Sequence, residues 1–329
     1  MPRHHQTGSA MTRLRCAILD DYQNVALKLA DWSRIADRVD VTVFDKPFLN
    51  AAEAIAALQD FEIVCAMRER TPFRADTINA LPKLKLLLTS GMRNASIDHE
   101  AAKACGVTVC GTAAMGGPTA SLTIGLMLEL TRHIGFESAR MKAGERWQTT
   151  LGEDIEGKTL GIVGLGKLGR KVAAIAKAMG MNVIAWSQNL TPEACAEAGV
   201  SYAAKDELMA TADVISIHVI LSKRTRGLIS RDDLARMKPT AYLINTARGP
   251  IVDEAALLDV LQRRAIKGAA LDVFSEEPLP RDHPLRRLDN VVLTPHLGYV
   301  TAENYRCYYG EMVEDIEAWL AGAPVRVIG

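Results

Sequence analysis

The run Thr159-Leu-Gly-Ile-Val-Gly-Leu-Gly-Lys-Leu-Gly-Arg170 constrains this chain more than any other part of it. Gly164, Gly166 and Gly169 stand in the spacing G-x-G-x-x-G. The apolar residues Leu160, Ile162 and Val163 lead in, and Leu168, Val172, Ile175, Ala176 and Met179 lead out at a helical period. Gly180 stands where a C-terminal cap would end that helix. An ordinary strand-to-helix turn would satisfy the pattern, but strand, turn and helix together are the setting a dinucleotide fold requires. There the first Gly makes the tight turn and the second admits a pyrophosphate to the backbone. The third lets helix and strand pack closely, and the helix N-terminus holds the anion.

At 329 residues the chain has length for about two domains and a large core. Lys plus Arg (39) equals Asp plus Glu (39), so the balance gives no sign of binding to nucleic acid or an acidic membrane. The six cysteines show no C-x-x-C and no metal-ligand spacing; they read as reduced, mostly buried thiols, and no metal is expected. No window has the length of a transmembrane span and no charged-then-apolar signal opens the chain, so a cytoplasmic protein is expected. Residues 1–11, with His4 and His5, read as a disordered tail, and Met11 is an alternative start.

From Leu14 to Cys110 short apolar runs alternate with helical segments. The predicted strands are Arg15–Leu19, Val39–Phe44, Glu62–Ala66, Leu84–Thr89 and Val107–Cys110. Helices are predicted near Val25–Ala36, Ala51–Leu58, Arg74–Ala80 and Asp98–Ala104. Such alternation argues βαβ units and a parallel sheet. Gly111–Pro118 reads as a hinge, and Pro118 suits the first turn of a long helix through Leu122, Leu126, Leu130 and Ile134. A second set gives strands at Leu160–Gly164, Asn182–Trp186, Asp213–His218, Ala241–Asn245, Gly268–Val273 and Val291–Leu293. Six strands suit two mononucleotide-binding halves, hence a Rossmann domain. Capped helices are predicted near Ser230–Arg236 and Asp253–Arg264, with a final helix over Ala302–Leu320. The Lys223–Arg226 run and Arg286–Arg287 read as solvated faces.

Three further segments follow predicted strands, where open α/β sheets bind ligands: Asn245-Thr-Ala-Arg-Gly249, Leu271-Asp-Val-Phe-Ser-Glu-Glu-Pro278 and Thr294-Pro-His-Leu-Gly298. Singly, a surface Arg, a loop Glu and a structural His would explain them. In this order behind a Gly-rich turn, they make the chain resemble the D-isomer-specific 2-hydroxyacid dehydrogenase family, which includes phosphoglycerate dehydrogenases and glyoxylate/hydroxypyruvate reductases. The likeness runs from Leu14 to Leu320 and includes Thr89-Ser-Gly-Met-Arg-Asn94, which resembles the family's substrate loop.

The resemblance implies two parallel-sheet domains, Rossmann-like and flavodoxin-like, with the active site in a cleft between them. The substrate domain would be discontinuous, residues 12–113 and 302–329, with an NAD(P)-binding Rossmann domain at 114–301. It implies reversible hydride transfer between a nicotinamide and a small 2-keto or D-2-hydroxy acid. His296 would be the acid/base, Glu277 would orient it and favour its charged form, and Arg248 would grip the carboxylate with a planar fork. Backbone N–H groups of Gly91 and Met92 would complete the carboxylate site, with Arg68 facing the same place. Lys167 and Leu168 would offer N–H groups to the pyrophosphate. Asp272 would bond the nicotinamide carboxamide, with Thr246, Ala247 and Gly298 beside the ring, and His218–Val219 would wall the adenine pocket. A homodimer through helices of the cofactor domain and the arm around Trp147 is implied as well.

Two positions depart from the family pattern. Ser187 stands at the end of the second Rossmann strand, where an NAD-specific member carries Asp or Glu. No Arg lies in Ser187–Pro192 to grip the 2′-phosphate of NADP. With nothing basic expected in reach, NAD is favoured, with NADP or dual use left open. Ser121 stands where relatives often have Glu. Glu277 disfavours formate oxidation, since formate dehydrogenases carry Gln there, and the acid is left open among glyoxylate, hydroxypyruvate and larger 2-keto acids. The alternative of a different class is a cofactor-sensing, corepressor-like binding protein on the same fold.

Overall fold

The computed structural model describes residues 13–329; the tail expected at 1–11 lies outside them. They form two compact units, one running up to Met115 and resuming over Thr301–Gly329, the other Gly116–Val300.

The first unit is built on β1 (Leu14–Ile18), β2 (Val39–Val43), β3 (Ile63–Ala66), β4 (Leu86–Thr89) and β5 (Thr108–Gly111), all parallel in the order β2-β1-β3-β4-β5. Strands β3 and β4 are buried along their whole length, as continuous apolar runs covered on both faces must be. Two expected helices hold their bounds closely: Ala51–Leu58 and Ala302–Leu320. The helix expected over Val25–Ala36 is broken into Ala26–Leu29 and a 3-10 turn, Trp32–Ile35. Asp31 interrupts it by accepting the Ser33 N–H, and the indole of Trp32 donates to the Ala26 carbonyl at 2.9 Å.

The second unit carries a seven-stranded parallel sheet: β6 (Thr159–Val163), β7 (Asn182–Trp186), β8 (Ser201–Tyr202), β9 (Val214–Ile217), β10 (Tyr242–Asn245), β11 (Gly268–Leu271) and β12 (Val291–Leu293). Their order is β12-β11-β10-β9-β6-β7-β8, so the order reverses between β6 and β9. This is the doubly wound Rossmann order with one strand added beyond β11. The sequence reading reached six strands by missing β8 and counting β12 in its place. Strand β8 is only two exposed residues paired to Ile184 and Ala185, too short to show a period.

The helix after the Gly-rich turn, Lys167–Ala178, buries Gly169, Val172, Ala173 and Ala176, the i, i+3, i+4, i+7 stripe that faces the sheet. Burying a side chain such as Val172 contributes roughly 1.5–3 kcal/mol. The long helix runs Gly117–Arg132 and stops two residues short of the expected Ile134. His133 takes a left-handed φ of 52°, and a new helix, Ile134–Lys142, follows it with none of its residues buried.

Candidate active site

Because the sheet of the second unit is parallel, the carboxyl ends of its strands share one edge, and the residues singled out in the sequence follow those ends in spatial order. His296 follows β12, Asp272 follows β11, Thr246–Arg248 follow β10, His218–Val219 follow β9, Gly164 follows β6 and Ser187 follows β7. One half of the edge carries groups able to move protons or grip anions. The other half carries the glycine turn.

At the first half, His296 Nδ1 lies 2.6 Å from Glu277 Oε2, while Glu277 Oε1 accepts the Phe274 N–H at 2.9 Å. Both carboxylate oxygens are thus engaged. Burial pushes the Glu277 carboxyl up, but the His296 ring, the Phe274 N–H and nearby Arg248 outweigh it and hold it below the ordinary carboxylate value. His296 itself has a left-handed φ of 54°, a backbone state that non-glycine residues rarely keep without support. The support is Asp272, wholly buried: Oδ1 accepts the Thr294 hydroxyl at 2.6 Å and the Leu297 N–H at 2.7 Å, and Oδ2 accepts the Gly298 N–H at 2.9 Å. The ring of Tyr299 meets that of His296 edge-on, centroids 5.4 Å apart.

Arg248 reaches this neighbourhood through Gly249. A Cβ there would overlap the Phe274 carbonyl carbon, so only glycine lets the Arg248 turn pack on the Phe274–Ser275 backbone that leads to Glu277. Asn245 fixes the same turn: its Oδ1 accepts the Ala247 N–H and its Nδ2 donates to the Arg248 carbonyl, each at 3.0 Å. Arg248 Nη1 donates to the Ala247 carbonyl at 2.7 Å. Thr246 is buried against Thr123, hydroxyl to hydroxyl at 3.0 Å. Asn245, Thr294 and Tyr299 were not singled out in the sequence, although the first two lie inside the quoted motifs. Ser121 donates to the Gly117 carbonyl of its own helix at 3.3 Å.

At the other half, a Cβ on Gly169 would overlap the Gly164 carbonyl, and one on Gly164 would meet the His218–Val219 backbone at 2.9 Å. A Cβ on Gly166, by contrast, would meet nothing within 4 Å. Gly166 also opens the helix Lys167–Ala178 with no capping side chain and no acidic residue in the first turn. Two glycines are therefore required by packing, and the third borders open space in front of a helix N-terminus. That cradle fits a pyrophosphate lying against the N–H groups of Lys167 and Leu168. His218 Nε2 lies 2.9 Å from the Ser216 hydroxyl, and burial pushes its pKa down to about 4, so the ring is neutral at pH 7 and suited to a pocket wall. The Gly164 N–H donates to the Trp186 carbonyl at 2.8 Å, which sets half-buried Ser187 beside the glycine turn.

The residues 187–192 hold no Arg, but one approaches them from elsewhere in the chain: Arg224 Nη2 lies 3.5 Å from Asn189 Oδ1, and Gln188 Nε2 donates to the Arg224 carbonyl at 3.1 Å. Thirty-five residues separate Arg224 from Asn189, so a reading by local spacing treats the run as a solvated face.

In the first unit the three expected residues also follow strand ends. Arg68, after β3, has a left-handed φ of 53° and donates through Nη1 to the Ser90 carbonyl at 2.9 Å. Its guanidinium occupies the space a Cβ on Gly91 would take. The Gly91 N–H already donates to the Thr112 hydroxyl at 2.9 Å, and Met92 is exposed. Among the described residues no group of three or more His, Cys, Asp or Glu is placed to hold a metal, and no helix is long and apolar enough to cross a membrane.

Residues 124–298 match the D-isomer specific 2-hydroxyacid dehydrogenase NAD binding domain. The chain is 36% identical to a phosphoglycerate oxidoreductase from Vibrio cholerae, whose solved structure superposes with a TM-score of 0.89 over 94% of this chain and 100% of that one. This chain belongs to the D-isomer specific 2-hydroxyacid dehydrogenase family. The D-3-phosphoglycerate dehydrogenase of Methanocaldococcus jannaschii is 39% identical over 278 residues, 83% of this chain and 52% of that relative. The chain thus spans about half the length of the curated relatives it matches. An acyclic imino acid reductase solved with NADPH and D-Arg is 29% identical, with a TM-score of 0.73 over 96% of this chain and 100% of that one.

Proposed function

We propose that this chain is an NAD(P)-dependent dehydrogenase that interconverts a small 2-keto acid and its D-2-hydroxy acid. The observation that carries the reading is the 2.6 Å contact between His296 Nδ1 and Glu277 Oε2, on a loop held in a rare backbone state. A structural histidine does not need a carboxylate so committed to it. When bound, the nicotinamide supplies or takes up the hydride at the carbon of the C–O group. His296 Nε2 gives the proton to the oxygen during reduction and takes it back during oxidation. Glu277 fixes the ring so that Nε2 is the nitrogen presented, and its negative charge faces the imidazolium that gives up the proton in reduction and that forms in oxidation. Arg248 binds the carboxylate through a planar, two-pronged contact and draws charge from the keto oxygen.

Lys167 and Leu168 would hold the pyrophosphate by their N–H groups. Thr246, Ala247 and Gly298 would border the nicotinamide, Asp272 would bond its carboxamide, and His218 and Val219 would wall the adenine. Arg68 and Met92 of the first unit would bind substrate. The Gly91 N–H, engaged by Thr112, is a poorer candidate than that of Met92. A homodimer is part of the proposal. The helix Ile134–Lys142 buries nothing, and Ile134, Phe136, Met141, Trp147 and Leu151 are all exposed, an apolar set that a second copy would cover.

NADH and NADPH oxidation, followed by absorbance over glyoxylate, hydroxypyruvate, phosphohydroxypyruvate and branched 2-keto acids, tests the proposal. Turnover with at least one acid is the expected result. Tight cofactor binding with no turnover across a broad panel would instead favour a cofactor-sensing, corepressor-like protein.

A further inference from the structure

The proposed cofactor has two forms that differ by one phosphate on the adenosine ribose, and the structure bears on which of them this chain accepts. Ser187, at the carboxyl end of β7 beside the glycine turn, carries no charge, and neither does any residue from Gln188 to Pro192. An NAD-specific Rossmann domain places a carboxylate there to bond the ribose hydroxyls and repel a 2′-phosphate. The 218–228 segment starts against Gly164, where Val219 would touch a Cβ on that glycine at 2.8 Å, and returns to the turn after β7. There Arg224 meets Gln188 and Asn189 through the two contacts already described. A compact turn holds it: Thr225 Oγ1 accepts the Ser222 N–H at 2.7 Å and donates to the Ile220 carbonyl at 2.6 Å, and the Arg226 N–H donates to the Ser222 carbonyl at 3.0 Å. The same turn carries Lys223 and Arg226, and the whole segment from Ile220 to Gly227 contains no acidic residue.

We propose that Arg224, exposed at the turn after β7, is the residue that receives the 2′-phosphate of NADP(H), so that this chain accepts the phosphorylated cofactor. The inference rests on the dehydrogenase reading above. Its chemistry is a guanidinium fork against a phosphate dianion, a contact that charge and planarity both favour. Ser187 adds a hydroxyl that can bond either a ribose hydroxyl or a phosphate oxygen without repelling it.

Calorimetric titration of the full chain with 2′,5′-ADP and with 5′-ADP separates this inference from the reading beneath it. The wild type should bind 2′,5′-ADP about 10- to 100-fold more tightly than 5′-ADP, the range a charge-assisted contact supplies. Arg224→Gln should bring the two affinities together by weakening only 2′,5′-ADP, with an unchanged melting temperature. Arg224→Lys should restore part of the difference. Equal affinities in the wild type, or an Arg224→Gln chain that keeps its preference, overturn the assignment while leaving 5′-ADP binding and the cofactor fold standing. A wild type that binds neither ligand overturns the assignment together with the dinucleotide reading.

Discussion

The Leu297 N–H donates to Oδ1 of Asp272 at 2.7 Å, and by this bond the end of β11 holds the residue next to His296. With the Thr294 hydroxyl and the Gly298 N–H on the same carboxylate, three donors of one loop converge on one wholly buried acid. Burial pushes that carboxyl up from its ordinary value, and the three donors oppose the shift. The left-handed φ of His296 is paid for here, inside the second unit.

Asp272→Asn tests this relationship. An amide in place of the carboxylate turns an NH2 toward at least one of the donors, leaving it unpaired at a cost of about 1–3 kcal/mol. We expect a lower urea midpoint and a fall in kcat larger than any rise in KM, because the fault lies in the placement of His296. An unchanged kcat with an unchanged midpoint would remove Asp272 from the support of the loop.

The sequence made most of this legible, for a physical reason. Parallel strands buried on both faces are unbroken apolar runs, so eleven of the twelve strand positions show plainly, and the motifs that follow them carry the ligand-facing groups. What escaped reading was short or distant. Strand β8 is two residues long, the left-handed break at His133 has no glycine to announce it, and the approach of Arg224 to Asn189 depends on the sheet placing β9 and β7 on either side of β6. The role of Asn245 in fixing the Arg248 turn is likewise a matter of geometry and not of residue type.

The glycine turn yields a paired prediction. Gly169→Ala drives a methyl into the Gly164 carbonyl and should destabilise the fold by at least about 1–3 kcal/mol, the usual cost of overpacking. Gly166→Ala meets no protein atom, so its melting temperature should stay within a degree or two of wild type. Its affinity for NAD(P)H should fall about tenfold or more, because the methyl points into the space proposed for the pyrophosphate. Fluorimetric melting and cofactor titration of both variants check the contrast. Equal loss of stability in the two would mean that the space beside Gly166 is not a ligand cradle.

Asp315 gives the first unit a pH dependence. It is wholly buried, and burial raises its pKa from 3.8 to about 7 although Arg326 donates to it at 2.9 Å. The folded chain keeps this proton up to about pH 7 while the unfolded chain releases it near 3.8. Over that window the unfolded state binds fewer protons, so this group's contribution to stability is complete below the window and is lost as pH rises to about 7. His218, depressed from 6.5 to about 4, has the opposite effect between those two values, its contribution being lost as pH falls. The test is therefore the difference between wild type and Asp315→Asn in urea unfolding at pH 5 and at pH 8. Wild type should lose stability relative to the variant on going to pH 8, and a difference that does not change with pH would contradict the assignment.

The most direct test of the central claim is the single-turnover rate of NADH or NADPH oxidation by His296→Ala, with cofactor affinity measured on the same preparation. The proposed acid/base role predicts a rate about 100- to 10,000-fold below wild type with cofactor affinity unchanged. A variant that reduces the keto acid at the wild-type rate would show that the proton comes from elsewhere and that the His296–Glu277 pair is not the chemical centre of this chain.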